Sequence, residues 1–149
     1  MLEGRSEESR IQREIIDEFW SERLGIPNFS PRYGLQYIGT DIMRKHFHPD
    51  IWVIASERVL MRYRDVVISD VRFPNEMAMI RRNGGKIWMV DRERPSWYDV
   101  ALNAPEQMPE FYPHIHESEY VWVNEKFDRI IPNKSTLAEL YDNVEGALQ

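Results

Sequence analysis

The sequence predicts an α/β domain in which helices flank a small parallel sheet. Three observations support this prediction. In several segments apolar residues recur at three- and four-residue spacings, which is typical of amphipathic helices. Short apolar runs without polar alternation lie between these segments, as in strands that are buried on both faces of a parallel sheet. The length of 149 residues fits one domain, and we expect residues 1–149 to form it.

Three helices are predicted in the first part of the chain. Ser6 is the expected N-cap of the first, whose apolar stripe ends just before Gly25, a typical helix stop. Ser30 followed by Pro31 predicts the start of the second helix, because these residues favour the N-cap and the first helical position. A third helix is expected to start near Pro49.

Three short apolar runs predict the strands, at residues 66–68, 87–90 and 127–131. A helix from about Pro74 to the Asn-Gly-Gly stop at 83–85 connects the first two runs. A strand–helix–strand unit of this kind predicts a right-handed parallel crossover, so residues 66–69 and 87–90 are expected to pair in parallel.

The last third is predicted to hold a long connection and one more helix. Residues from about 95 to 120 contain several prolines and no steady period, which indicates a lid or long loop. Ser135 is the expected cap of a final helix that runs to about Leu148.

The composition excludes several classes of protein. Without cysteine there is no disulfide and no thiolate metal site, which fits a cytoplasmic protein. The net charge of −6 argues against binding through nucleic-acid phosphates, so we expect no direct nucleic-acid contact. No apolar run approaches the roughly 18 residues of a membrane helix, and we expect no membrane partner.

An acid and a base directly follow the first predicted strand. Asp70 lies where open α/β sheets bind ligands and can hold Mg²⁺ through water or orient a substrate hydroxyl. Arg72 can bind a phosphate with two hydrogen bonds. Two structural alternatives remain open: Asp70 pairs with Arg72, or Asp70 caps the helix at Pro74.

Two further clusters carry polar groups. Arg32, Gln36 and Thr40 fall at four-residue steps, so one helix face can present donors and an amide to a base edge and a phosphate. The alternative is a solvated polar face. His114 and His116 suggest metal ligands, but they point to opposite faces if the chain is extended, and capping or substrate contacts at a lid hinge are the other interpretation.

No phosphate-binding loop motif of the form Gly-x-x-x-x-Gly-Lys-Ser/Thr occurs in the sequence. The Gly-Gly-Lys run at 84–86 comes closest, but it precedes a predicted strand instead of opening a helix.

Several segments, in order along nearly the whole chain, resemble the deoxynucleoside monophosphate kinases of tailed phages, which belong to the P-loop kinase superfamily. The most specific is Asp-Val-Arg-Phe-Pro-Asn-Glu at 70–76, followed by Leu-Gln-x-x-Gly-Thr at 35–40. The others are Ser-Pro-Arg at 30–32, Asp-Ile-Trp-Val at 50–53, Gly-Gly at 84–85 and His-x-Ser-Glu at 116–119.

The resemblance implies phosphoryl transfer from ATP to a deoxynucleoside monophosphate, with Mg²⁺. It implies catalytic roles for Asp70, Arg72 and Arg92, with Asp70 also the metal ligand, and makes Arg92 and Arg94 the start of the lid. The residues that it assigns to substrate binding are Arg32, Gln36, Thr40, Arg94, His116 and Glu119.

The sequence departs from this family at one point, because relatives begin with a strand and a P-loop. The expected fold is therefore P-loop-kinase-like but without the first strand and P-loop. We expect a truncated or split kinase that keeps the acceptor-nucleotide and lid parts, acts in a host cytoplasm, and pairs with a P-loop-bearing chain or with itself. The alternative is a non-catalytic nucleotide-binding or protein-interaction module derived from that fold.

Overall fold

The computed structural model describes residues 7–148, and the chain divides into two compact units on either side of the Ile51–Trp52 bond. A single domain over residues 1–149 stays a prediction. The expected cap at Ser6 lies outside the described residues. Among the helices of residues 7–148, none has both the length and the apolarity to cross a membrane.

In the first unit, two helices replace the one predicted up to Leu24. Helix α1 spans Glu7–Glu14 and helix α2 spans Glu18–Leu24. The break occurs because Asp17 caps α2: its Oδ1 accepts a hydrogen bond from the Trp20 N–H at 3.1 Å. The predicted end is confirmed, since Gly25 has a φ of 67°, the left-handed region that favours glycine.

Helix α3, Pro31–Gln36, begins as predicted, because the Ser30 side chain accepts from the Tyr33 N–H at 3.2 Å. The chain continues as a π-helix over Tyr37–Phe47. Thr40 and Arg44 are buried in this segment, and the Arg44 guanidinium donates to the Pro49 carbonyl at 3.2 Å.

The second unit is α/β, with a two-stranded parallel sheet in the described residues. Helices α4 (Ile51–Leu60, starting at the unit boundary) and α5 (Pro74–Arg82) come first. Strands β1 (Trp88–Asp91) and β2 (Arg129–Pro132) then pair in parallel, with Trp88 opposite Arg129 and Val90 opposite Ile131. The prediction of a small parallel sheet flanked by helices is confirmed at this level.

The predicted strand at 66–69 is wrong, and so is its pairing with 87–90. These residues form no strand, and Val67 is 94% exposed. A β-branched run becomes a strand only where a neighbouring strand bonds its backbone and a core covers its side chains. In the structure the strand that pairs with β1 is β2, and not residues 66–69.

The long loop predicted at 95–120 is also wrong. The segment contains helices α6 (Tyr98–Asn103) and α7 (Met108–Phe111), with single 3₁₀ turns at Pro105–Gln107 and Glu117–Glu119. These short helices close around a buried cluster of Tyr98, Ala101, Met108 and Val123. Helices of four to six residues are too short to give a period in sequence, so tertiary packing and not local pattern determines them. A lid role for this segment stays a prediction.

Two glycines end α5 as predicted. Gly84 has a φ of 78°, and a Cβ on Gly85 would lie 2.6 Å from the Cγ2 atom of Ile80. The Gly85 N–H donates to the Ile80 carbonyl at 2.9 Å, which satisfies one of the helix's last carbonyls.

Helix α8, Leu137–Leu148, is confirmed, but its cap is not Ser135. The Oγ1 atom of Thr136 accepts from the Glu139 N–H at 3.3 Å.

We therefore expect Thr136→Ala to lower the free energy of unfolding by about 0.5–2 kcal/mol, the usual effect of removing a helix cap. Ser135→Ala is the matched control and should change it by less than about 0.5 kcal/mol. Urea unfolding followed by circular dichroism measures both. Equal effects of the two substitutions would contradict the assignment of Thr136 as the cap.

Candidate functional site

The second unit contains an open cleft of about 180 Å³ at the carboxyl end of β1. Parallel α/β sheets bind ligands at this end of their strands. The cleft wall includes Asp91, Arg92, Arg94, Tyr98, Glu119 and Trp122. Three of the residues expected from the sequence, Arg92, Arg94 and Glu119, are therefore brought together here.

Arg94 lies over an aromatic platform. Its guanidinium carbon is 4.8 Å from the centroid of the Tyr98 ring. Tyr98 is only 8% exposed and packs with Trp97 and Trp122, at ring-centroid distances of 6.4 and 6.5 Å. A cation held over a fixed ring is attracted by the ring's negative face, while the guanidinium edge keeps its N–H donors for a ligand.

Arg72 reaches the same cleft through an ion pair with Glu119. Its Nη1 atom donates to Glu119 Oε1, although the two residues are 47 positions apart in the sequence. Arg72 therefore pairs with Glu119 and not with Asp70, which was one of the alternatives that the sequence left open. The pair has one member before α5 and the other in the 3₁₀ turn Glu117–Glu119.

Asp70 is exposed and follows no strand. The N-cap of α5 is Phe73, so Asp70 does not cap that helix either. An exposed carboxylate is a donor type that Mg²⁺ takes, and Mg²⁺ commonly binds through one or two carboxylates with water and substrate phosphates completing its shell. The donor type of Asp70 therefore fits the expected ion.

His116 has a capping position. Its Nδ1 atom lies 2.8 Å from Ser118 Oγ and accepts from the Ser118 N–H at 3.2 Å, at the start of the 3₁₀ turn that carries Glu119. This is the capping interpretation that the sequence left open. His114 is exposed, with its ring centroid 6.3 Å from that of Tyr112.

The expected acceptor-nucleotide residues lie in the first unit. Arg32 Nε is 3.4 Å from a carboxylate oxygen of Glu14, Gln36 is half-buried, and Thr40 is buried. The predicted helical face extends only to Gln36, because Thr40 belongs to the π-helix. Their substrate-binding role stays a prediction.

Several residues of the cleft wall were missed from the sequence, among them Asp91, Tyr98 and Trp122. Asp91 ends β1, and its Oδ2 lies 3.1 Å from the Lys134 ammonium. The signal was present, since Asp91 directly follows the apolar run at 87–90, much as Asp70 follows the run at 66–68. Tyr98 and Trp122 gave no signal, because Tyr98 lies within and Trp122 just after the segment 95–120, which has no regular period.

The Gly-Gly-Lys run at 84–86 does not fit a cradle for the phosphates of ATP. Such a cradle presents backbone N–H groups at the start of a helix. Gly84 and Gly85 instead lie at the end of α5, where the Gly85 N–H is already bonded to a helix carbonyl.

Comparison with known proteins gives a consistent family. A family model described as deoxynucleotide monophosphate kinase matches residues 4–144. A protein of Acanthamoeba polyphaga mimivirus, with the provisional name deoxynucleotide monophosphate kinase, is 31% identical over 135 residues, which cover 70% of this chain and 65% of that protein. The deoxynucleoside-5′-monophosphate kinase of Escherichia phage T5 is 39% identical over 71 residues, 46% of this chain and 28% of the phage protein.

The chain thus spans just under two thirds of the mimivirus protein and less than one third of the phage protein. No solved structure matches the chain.

Proposed function

The chain belongs to the deoxynucleotide monophosphate kinase family, and from this premise we propose that it serves phosphoryl transfer from ATP to a deoxynucleoside monophosphate. The observation that carries the proposal is the convergence of Arg92, Arg94 and the Arg72–Glu119 pair at the carboxyl end of β1. Phosphoryl transfer depends on positioning and on cations that neutralise the charge of the transferring group. The cleft provides the guanidinium groups of Arg92 and Arg94, beside the carboxylates of Asp91, Glu93 and Glu119.

Arg94 and Arg92 are proposed to bind the phosphate of the acceptor nucleotide or the group in transfer. Arg94 is the better placed of the two for a fixed geometry, because the buried Tyr98 ring supports its guanidinium. A guanidinium held in one plane meets two phosphate oxygens at once, and less side-chain entropy is lost when the ligand binds.

Arg72 is proposed to contact the phosphate from the other side of Glu119. Its ion pair uses Nη1, which leaves Nε and Nη2 to donate to phosphate oxygens. Glu119 has two roles in this arrangement. It orients Arg72, and its negative charge reduces the net positive charge that the incoming phosphate meets.

Mg²⁺ and ATP are part of the proposal. Asp70 is the residue proposed to hold Mg²⁺, which would supply positive charge to the phosphate oxygens. The printed sequence holds no P-loop motif, so we propose that a P-loop-bearing segment or partner chain binds the phosphates of ATP. The other proposed partner is a second copy of this chain, in a homodimer.

On this proposal Arg32, Gln36 and Thr40 belong to acceptor-nucleotide binding, while His116 stabilises the turn that presents Glu119. A second candidate function is nucleotide binding without catalysis, or a protein-interaction module. The absence of a P-loop motif from the printed sequence favours it over a self-sufficient kinase.

Calorimetric titration of the purified chain with each of the four common deoxynucleoside monophosphates tests the binding part of the proposal. We expect at least one of them to bind, and its deoxynucleoside, which lacks the phosphate, to bind at least about tenfold more weakly, since a hydrogen bond to a charged group contributes about 1.5–3 kcal/mol. Binding of none of the four would contradict the proposed function and leave the interaction module.

A further inference from the structure

The start of helix α5 is capped in an unusual way. The N-cap residue is Phe73, whose side chain has no hydrogen-bond acceptor. The carboxylate of Glu76, three residues later, does the capping instead. Its Oε2 atom accepts from the Phe73 N–H at 3.1 Å and from the Arg72 N–H at 2.8 Å.

One carboxylate therefore fixes the N–H groups of two successive residues, the N-cap Phe73 and Arg72 just before it. The first turn is closed on its other side by the Phe73 carbonyl, which accepts from the N–H groups of Glu76 and Met77 at 3.0 and 3.1 Å. Met77 and Met79 are 2% and 1% exposed, so the helix that carries Glu76 is anchored in the core. The backbone of Arg72 is consequently tied to a rigid element.

The side chain of Arg72 extends from this fixed backbone to Glu119 at the wall of the cleft. An arginine side chain has several rotatable bonds, and its guanidinium is held only if both its backbone and its far end are held. Glu76 holds the first and Glu119 holds the second.

We propose that Glu76 is a positioning residue for Arg72, which it places against Glu119 at the edge of the cleft. This inference rests on the proposed function, in which the Arg72 guanidinium binds phosphate. It also accounts for the glutamate that ends the Asp-Val-Arg-Phe-Pro-Asn-Glu run at 70–76, since the arginine and the glutamate act as one unit.

The test compares Glu76→Ala with Glu76→Gln, because glutamine keeps a side-chain oxygen that can accept both N–H bonds. Glu57→Ala is the matched control: Glu57 pairs with Arg82 at the other end of the same helix and does not touch Arg72. Two sets of measurements follow, one without nucleotide and one with dTMP as the probe.

Without nucleotide, NMR follows amide hydrogen exchange of Arg72 and Phe73 and the Nε resonance of Arg72. Glu76→Ala should speed exchange of both amides at least about tenfold and move the Arg72 Nε resonance toward its position in Glu119→Gln. Glu76→Gln and Glu57→Ala should leave both near wild type. Unchanged exchange and an unchanged Nε resonance in Glu76→Ala would overturn the inference, whatever the chain binds.

With dTMP, calorimetry should show about 5- to 20-fold weaker binding in Glu76→Ala and less than about 3-fold in Glu76→Gln. In an Arg72→Ala background, Glu76→Ala should have no further effect, because the two residues act through the same contact. An equal loss in both backgrounds would make Glu76 a purely structural residue and overturn the inference. A wild-type chain that binds no deoxynucleoside monophosphate would overturn the proposed function, while the NMR result would still decide the role of Glu76.

Discussion

The purified chain, mixed with ATP, Mg²⁺ and each deoxynucleoside monophosphate, is expected to transfer phosphoryl groups at least about 10⁴-fold more slowly than the same chain supplied with a P-loop-bearing partner. Removing one preorganised donor typically costs about 10²–10³ in rate, and a P-loop supplies several such donors together with a lysine. The cations of the cleft cannot replace them, because Arg72, Arg92 and Arg94 are proposed to act on the acceptor and the transferring group. A coupled assay of nucleoside diphosphate formation measures the rate.

The partner for this assay is any P-loop-bearing chain encoded beside the gene. The control is a chain with both Arg72 and Arg94 replaced by alanine, whose rate the partner should not restore. Rapid turnover by the unsupplemented chain would contradict the prediction and require another cradle for ATP within this sequence. No turnover with the partner present, together with no nucleotide binding, would favour the protein-interaction module.

Helix boundaries were predicted from the sequence where local chemistry decides them. The Ser30–Pro31 start, the Gly25 stop and the Gly84–Gly85 stop all appear in the structure, because caps and left-handed residues act within a few positions of the chain. The same reasoning predicted Ser135 as the cap of α8, where the structure has Thr136. Both residues are good caps, and only the path of the backbone decides between them.

The sheet was predicted only in part, because pairing is not a local property. Residues 87–90 and 127–131 correspond closely to β1 and β2, while the run at 66–69, which is richer in β-branched residues, forms no strand. Helices α6 and α7 were missed for a related reason, since the buried cluster around Tyr98 and Met108 holds them together and their sequence shows no period.

The candidate site, like the sheet, could be predicted only in part from the sequence. The charged residues Arg92, Arg94 and Glu119 could be named from the sequence, because resemblance to a family indicates which positions bear the chemistry. The partner of Arg72 and the aromatic support of Arg94 could not, because the first contact joins residues 47 positions apart and the second depends on the buried cluster around Tyr98.

Arg72→Ala is expected to weaken the binding of a deoxynucleoside monophosphate by about 10- to 150-fold, equivalent to roughly 1.5–3 kcal/mol for the loss of a charged hydrogen bond. The loss has two sources. The substitution removes a cation that binds phosphate, and it leaves the carboxylate of Glu119 at the cleft wall, where it repels the ligand. Calorimetric titration measures the change, and Arg62→Ala, at an exposed arginine of the same unit, should leave the affinity unchanged.

The two sources separate in the double variant Arg72→Ala with Glu119→Gln. Removing the carboxylate charge should recover part of the lost affinity, because repulsion disappears although the missing cation is not replaced. Arg72→Lys keeps the positive charge but should still bind the ligand more weakly than wild type. An ammonium cannot bond Glu119 and a phosphate in one plane as a guanidinium does. If Arg72→Ala and Arg62→Ala left the affinity equally unchanged, Arg72 would have no part in binding phosphate, and the cleft would depend on Arg92 and Arg94 alone.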